Sequence, residues 1–178
     1  MRHALALCLT LLAGPLVAQT VLEDFSAPRA EWRFFTDQVM GGVSTGAARI
    51  AQVDGRAALH LTGKVSTENR GGFIQARRDL PGGLPAGTTH LRITVRGDGQ
   101  RYFLHLRTTG TMLPWQYYQA PFDTDGSWQQ IDIPLTAFSA SGALLRDTPR
   151  PEAVRSVALV AYGRDHAADV ALARLAAD

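Results

Sequence analysis

The chain has 178 residues, 46% of them hydrophobic, with 18 basic and 16 acidic side chains and a formal net charge of +2. Without a basic run or stripe, that balance excludes an electrostatic nucleic-acid surface, and no helix with a basic face marks a membrane surface. A chain of this length suffices for one domain that buries roughly two-thirds of its unfolded surface.

Met1-Arg2-His3 is a short positive start, followed by an apolar run from Ala4 to Ala13 and small residues up to Ala18. About ten apolar residues are too few to cross a bilayer, which takes roughly 20. The pattern predicts a secretory signal peptide over residues 1–18, cleaved after Ala18, and a periplasmic or secreted protein with no membrane span after signal removal. The single cysteine, Cys8, falls in that segment. Residues 19–178, the expected single domain, therefore offer no thiol for a disulfide, a zinc site or a nucleophile.

Beyond residue 18 no stretch keeps a 3.6-residue period. Short segments of period-2 alternation recur instead, separated by glycine and proline. Val21 to Phe25 and Trp32 to Phe35 lead into Asp37-Gln38-Val39-Met40-Gly41-Gly42-Val43-Ser44-Thr45-Gly46. Three glycines in six positions there require positive φ or a close neighbour, and Val39, Met40 and Val43 are expected to anchor the loop in the core. Ala47 to Val53 and Arg56 to Leu61 flank Asp54-Gly55, a two-residue hairpin turn. Gly72 to Arg77 is a further strand. In His90 to Arg96, Leu91, Ile93 and Val95 face inward, and Asp98-Gly99 turns the chain into Tyr102 to Arg107. Gln116 to Phe122, Trp128 to Ile133, Ser156 to Ala161 and Val170 to Leu175 complete about ten strands, with turns every 8–12 residues. That pattern is an all-β chain folded as an antiparallel β-sandwich.

Several motifs suggest chemistry. Gly42-Val43-Ser44-Thr45-Gly46 spells the hydrolase pattern G-x-S-x-G, but a nucleophile elbow joins a buried strand to a helix. Here a hairpin follows, so Ser44 is expected to bond its own loop. Asp123-Thr124-Asp125-Gly126 lacks the closing ligands of a calcium loop and reads as a turn. His60, His90, His105 and His166 form no closely spaced metal pair, and structural or solvent-face roles are expected for them. Neither a metal nor a cofactor is predicted. Trp115, Tyr117 and Tyr118 form the densest aromatic cluster and offer flat faces for a sugar ring. Trp115 and Tyr117 share one face, expected to be the core, which leaves Tyr118 as the better exposed contact. Arg70, in the polar loop Glu68-Asn69-Arg70-Gly71-Gly72, and Asp98 are further candidate contacts, as is Asp37.

In order, these segments resemble the CIA30 family, the mitochondrial complex I intermediate-associated protein 30 and its bacterial relatives. The resemblance rests on Trp32, Asp37 with Val39 to Ser44, Gly63 with Ser66 to Phe73, Arg96 to Tyr102, Tyr118 to Phe122, and Trp128-Gln129 leading to Ile133-Pro134. It spans about Phe25 to Leu175 and implies a galactose-binding-domain-like jelly roll. It also implies a non-enzymatic role, since the best-known member assists assembly of respiratory complex I. A signal peptide sets this chain apart from that member, as does Ala167-Ala168-Asp169-Val170, which lacks the family's Gly-Pro-Phe-like entry to the last strand.

The expected function is a non-catalytic exported module that binds a protein partner or assists assembly. A carbohydrate-binding module is the alternative, and a serine hydrolase at Ser44 ranks below both. Asp37, Arg70, Asp98, Trp115 and Tyr118 are the candidate binding residues. Asp37, Arg70 and Asp98 are expected at one end of the sandwich.

Overall fold

The computed structural model describes residues 19–27 and 31–178, so the segment read as a signal peptide, with Cys8, lies outside the described residues. Among the described residues twelve strands form two six-stranded antiparallel sheets. The first contains β1 (Thr20–Glu23), β3 (Thr45–Val53), β4 (Arg56–Val65), β6 (His90–Gly97), β9 (Gln129–Pro134) and β12 (His166–Ala177), in the order β3-β4-β12-β6-β9 with β1 also on β12. The second runs β10 (Ser139–Ala140), β8 (Tyr118–Asp123), β7 (Arg101–Thr108), β11 (Val154–Tyr162), β5 (Phe73–Asp79) and β2 (Trp32–Thr36). This is the expected jelly-roll sandwich. The segment least visible as a strand is β10, only two residues long.

Alternation decides which side of each strand enters the core. Along β6, Leu91, Ile93 and Val95 are buried while Arg92, Thr94 and Arg96 are half-exposed, so the sheet has one dry and one wet face. Leu59, Leu61, Leu172 and Leu175 of the first sheet join them in one cluster with Ile74, Leu104, Leu106 and Leu159 of the second. Each such side chain contributes about 1.5–3 kcal/mol when fully buried. At Asp54-Gly55 both residues have positive φ, 43° and 77°, as a two-residue hairpin demands.

Two central strands, β12 in the first sheet and β11 in the second, depart from simple alternation. From Ser156 to Ala161, β11 is buried on both faces. A centrally placed strand reads this way when something covers its outer side as well. The outer side of β11 is the floor of a groove.

Candidate functional site

The glycine loop after β2 is held by a carboxylate. Asp37, fully buried, accepts hydrogen bonds from the Ser44 N–H (2.9 Å) and hydroxyl (2.5 Å) and from the Gly72 N–H (2.6 Å). The Ser44 oxygen in turn accepts the Ser66 N–H at 2.9 Å. One side chain thus staples the β2–β3 loop to the β4–β5 loop. Burial alone would raise its pKa, but the Ser44 hydroxyl and the N–H groups of Gly72, Ser44 and Phe73 outweigh burial and hold the carboxyl below its usual range. Glycine is required at 42 and 71 because a Cβ there would run into this carboxylate.

The staple corrects two expectations. Val39 and Met40 do not anchor the loop: they are 74% and 63% exposed, and Val43 is exposed too, because Asp37 supplies the anchor. The Ser44 hydroxyl is buried between Asp37 and Ser66 with no imidazole among its partners, so it has neither the exposure nor the base of a nucleophile.

Asp37, Arg70 and Asp98 do share one end of the sandwich, where β2, β4 and β6 end and β5 and β7 begin. Their tasks differ. Asp98 accepts the Tyr102 hydroxyl at 2.7 Å and fastens the β6–β7 turn. Arg70 is exposed, at positive φ (62°), and reaches the rim of the groove. The aromatic cluster is arranged opposite to the expectation. Tyr118 is core, 2% exposed, whereas Trp115 is 65% exposed. The strand begins at Tyr118 and alternates inward from there, while Trp115 precedes it in a loop free of that alternation.

The groove, about 790 Å³ in volume, lies on the outer face of the second sheet. Its floor is the β11 row Ser156, Ala158, Val160 and Tyr162. Longer side chains flank that row: Phe73, Gln75 and Arg77 of β5 on one side, His105 and Arg107 of β7 on the other. Register fixes the section, because Ala158 pairs with Arg77 across one edge and with His105 across the other. Small residues in the middle and large ones beside them make a trough. Met40 and Val39 form one lip, and Trp115 with Pro114 the other.

The Trp115 lip is fixed in place. Arg107 donates to the carbonyls of Thr111 (3.2 Å), Leu113 (3.0 Å) and Pro114 (3.0 Å). Gln116, buried, accepts the Leu113 N–H at 3.0 Å, and the Ser141 hydroxyl donates to the Trp115 carbonyl at 3.0 Å. A platform fastened this way loses little entropy when a ligand is bound.

Beside the floor, Tyr117 stacks on His105, and Tyr162 meets both rings edge-on, its hydroxyl 3.3 Å from that of Tyr117. Burial holds the His105 pKa down at about 3, so the imidazole is neutral at physiological pH. Burial, then the Tyr162 hydroxyl, raises the Tyr117 pKa. Among the described residues no Asp or Glu lines the groove, and no cluster of three metal-ligating side chains occurs. The site offers flat aromatic faces and hydrogen-bonding groups without a carboxylate and base arranged for proton transfer.

Residues 23–172 match the family described as Complex I intermediate-associated protein 30 (CIA30). The chain belongs to the CIA30 family. No curated protein sequence matches it at a significant level. Among solved structures, this CIA30 protein is similar in fold to the family 11 carbohydrate-binding module from Clostridium thermocellum in complex with a β-1,3-1,4-mixed-linked tetrasaccharide. The TM-score is 0.73 at 14% identity, covering 92% of this chain and 96% of that one. The family 11 module of the cellulosomal cellulase Lic26A-Cel5E, from the same organism, gives 0.73 at 13% identity over 92% and 95%. The family 30 module of its cellulase Cel9D-Cel44B gives 0.59 at 11% identity over 91% and 98%. At these identities the likeness establishes a shared sandwich.

Arg77, Arg107 and Tyr162 carry no motif in the sequence, and His105 is expected from it only in a structural or solvent-face role. Their signal was the outward stripe of period 2. Phe73-Gln75-Arg77 and Phe103-His105-Arg107 put aromatic and semi-polar residues where a solvent face would carry small polar ones.

Proposed function

We propose that this CIA30 protein is an exported, non-catalytic binding module whose groove holds a stretch of saccharide chain. The observation that carries the reading is the exposed Trp115 ring, borne on a fastened loop at the lip of a trough that also presents Tyr162, Tyr117 and Gln75. Sugar rings combine apolar faces with polar edges, and a rigid aromatic beside hydrogen-bonding groups is complementary to both. The fold shared with carbohydrate-binding modules agrees with this reading.

A protein partner, as in an assembly role, is the second reading. It is favoured by apolar side chains standing in solvent, Met112 (81% exposed) and Leu144 (92%) with Val39 and Met40. The two readings separate in affinity electrophoresis through gels containing individual plant, algal and bacterial polysaccharides. Retardation by at least one of them, lost on Trp115→Ala, is the expected result. No retardation by any polysaccharide, together with capture of an envelope protein that Met112→Ser/Leu144→Ser abolishes, would favour the protein partner instead.

A further inference from the structure

The arginines of the groove are not equivalent. Arg107 is tied to the three carbonyls that hold the Trp115 lip, and Arg33, just outside, pairs with Asp79 at 2.5 Å. Among the described residues Arg77 has no such bond: its Nε is buried without a partner, and its guanidinium lies 4.6 Å over the Phe35 ring. Across Ala158 from it stands His105, buried, with its Nε2 likewise unpartnered. The two residues thus line the groove on either side of Ala158, with backbones two strand spacings, about 10 Å, apart. Buried polar groups are ordinarily paired, and these two atoms, Arg77 Nε and His105 Nε2, lack a partner among the described residues.

Charge points the same way. Arg70, Arg77 and Arg107 line the trough, and among the described residues no carboxylate does. Burial, opposed by Asp79 and reinforced by Arg33 and Arg107, makes the Arg77 cation less favourable than in water. An anion in the groove would relieve both desolvation and repulsion.

Resting on the saccharide reading, we propose that the groove takes an acidic saccharide, and that the Arg77 guanidinium receives its carboxylate or sulfate above Ala158. Trp115 supplies the stacking surface for the chain, and Arg77 selects for the charge. A guanidinium fork presents two parallel N–H groups to a planar carboxylate, or to two oxygens of a sulfate, which a neutral hydroxyl cannot match.

The test is calorimetric titration of the full chain with oligogalacturonate (carboxylate), a carrageenan oligosaccharide (sulfate) and a mixed-linked β-glucan oligosaccharide (neutral). At least one acidic chain is expected to bind about tenfold more tightly than the neutral one, and which acid binds identifies the anion. The preference should shrink as salt rises from about 50 to about 500 mM. Arg77→Gln should abolish the preference for the acidic chain over the neutral one, and Arg77→Lys should retain part of it. Thermal melts establish that both variants fold. Equal binding of acidic and neutral chains, unmoved by Arg77→Gln, would overturn this inference and leave the saccharide reading standing. Failure of all three probes together with every polysaccharide of the gel panel would overturn both.

Discussion

The His105 imidazole lies flat against the Tyr117 ring, with centroids 4.3 Å apart and planes 8° from parallel. That pair forms one wall of the groove and keeps a titratable ring out of water.

Acid sensitivity follows from it. The folded pKa of His105 is about 3 because of burial, whereas an unfolded histidine titrates near about 6.5. Between those values the unfolded chain holds a proton that the folded chain does not. Stability therefore falls as pH drops from about 6.5 towards 3, and above that window this contribution vanishes. Urea unfolding at pH 7 and at pH 4.5 should show the wild type losing on the order of 2 kcal/mol more than His105→Gln. Parallel losses in the two proteins would contradict a buried neutral ring.

Trp115→Ala and Tyr118→Phe make a contrasting pair with Tyr118→Ala. Trp115 is largely exposed and should melt unchanged on substitution, while ligand affinity drops about tenfold, the equivalent of roughly 1.4 kcal/mol. Tyr118→Ala opens the core and should cost about 3–5 kcal/mol. Tyr118→Phe keeps the ring and should leave binding intact. Denaturation curves and titrations on the three proteins check both halves.

Asp37→Asn tests the staple. An amide can accept some of the N–H bonds but loses the charge and leaves buried donors poorly matched, so about 3 kcal/mol of stability should disappear. Amide exchange should accelerate at Ser44, Ser66 and Gly72 together, since one side chain serves both loops. Acceleration in one loop alone would argue against the shared fastening.

Arg107→Lys keeps the charge but cannot span three carbonyls. Exchange at Thr111 to Gln116 should quicken, and ligand affinity should fall through a slower on-rate or a larger entropy cost. Unaltered exchange there would show that Ser141 and Gln116 suffice to hold the lip.

Much of the fold was legible because burial on one face writes itself as period-2 alternation, and β6 is the clearest instance. Asp54-Gly55 and Asp98-Gly99 marked their turns through positive φ at Gly55 and Gly99. The site was less legible, for a physical reason. A groove on the outer face of a sheet is made by side chains from β5, β7 and β11 whose proximity depends on register between strands distant in sequence. Arg77 and His105 meet across Ala158 only after that pairing is set. Val39 and Met40 misled in the same manner: apolar residues among glycines look like anchors, yet a buried aspartate did the anchoring and left them at the groove's lip.

Export is a separate proposal, resting on residues 1–18. Fractionation with N-terminal sequencing should find the protein outside the cytoplasm and beginning at Gln19. A cytoplasmic protein retaining Met1 would contradict it.

Ligand is expected to sit in the groove of the second sheet. Amide chemical-shift mapping during titration with a saccharide tests it most directly. Shifts should be confined to β5, β7 and β11 around Arg77, His105 and Ala158 and to the loop from Thr111 to Tyr117. Shifts clustered instead on the outer face of the first sheet, or at the Asp98 turn, would contradict it.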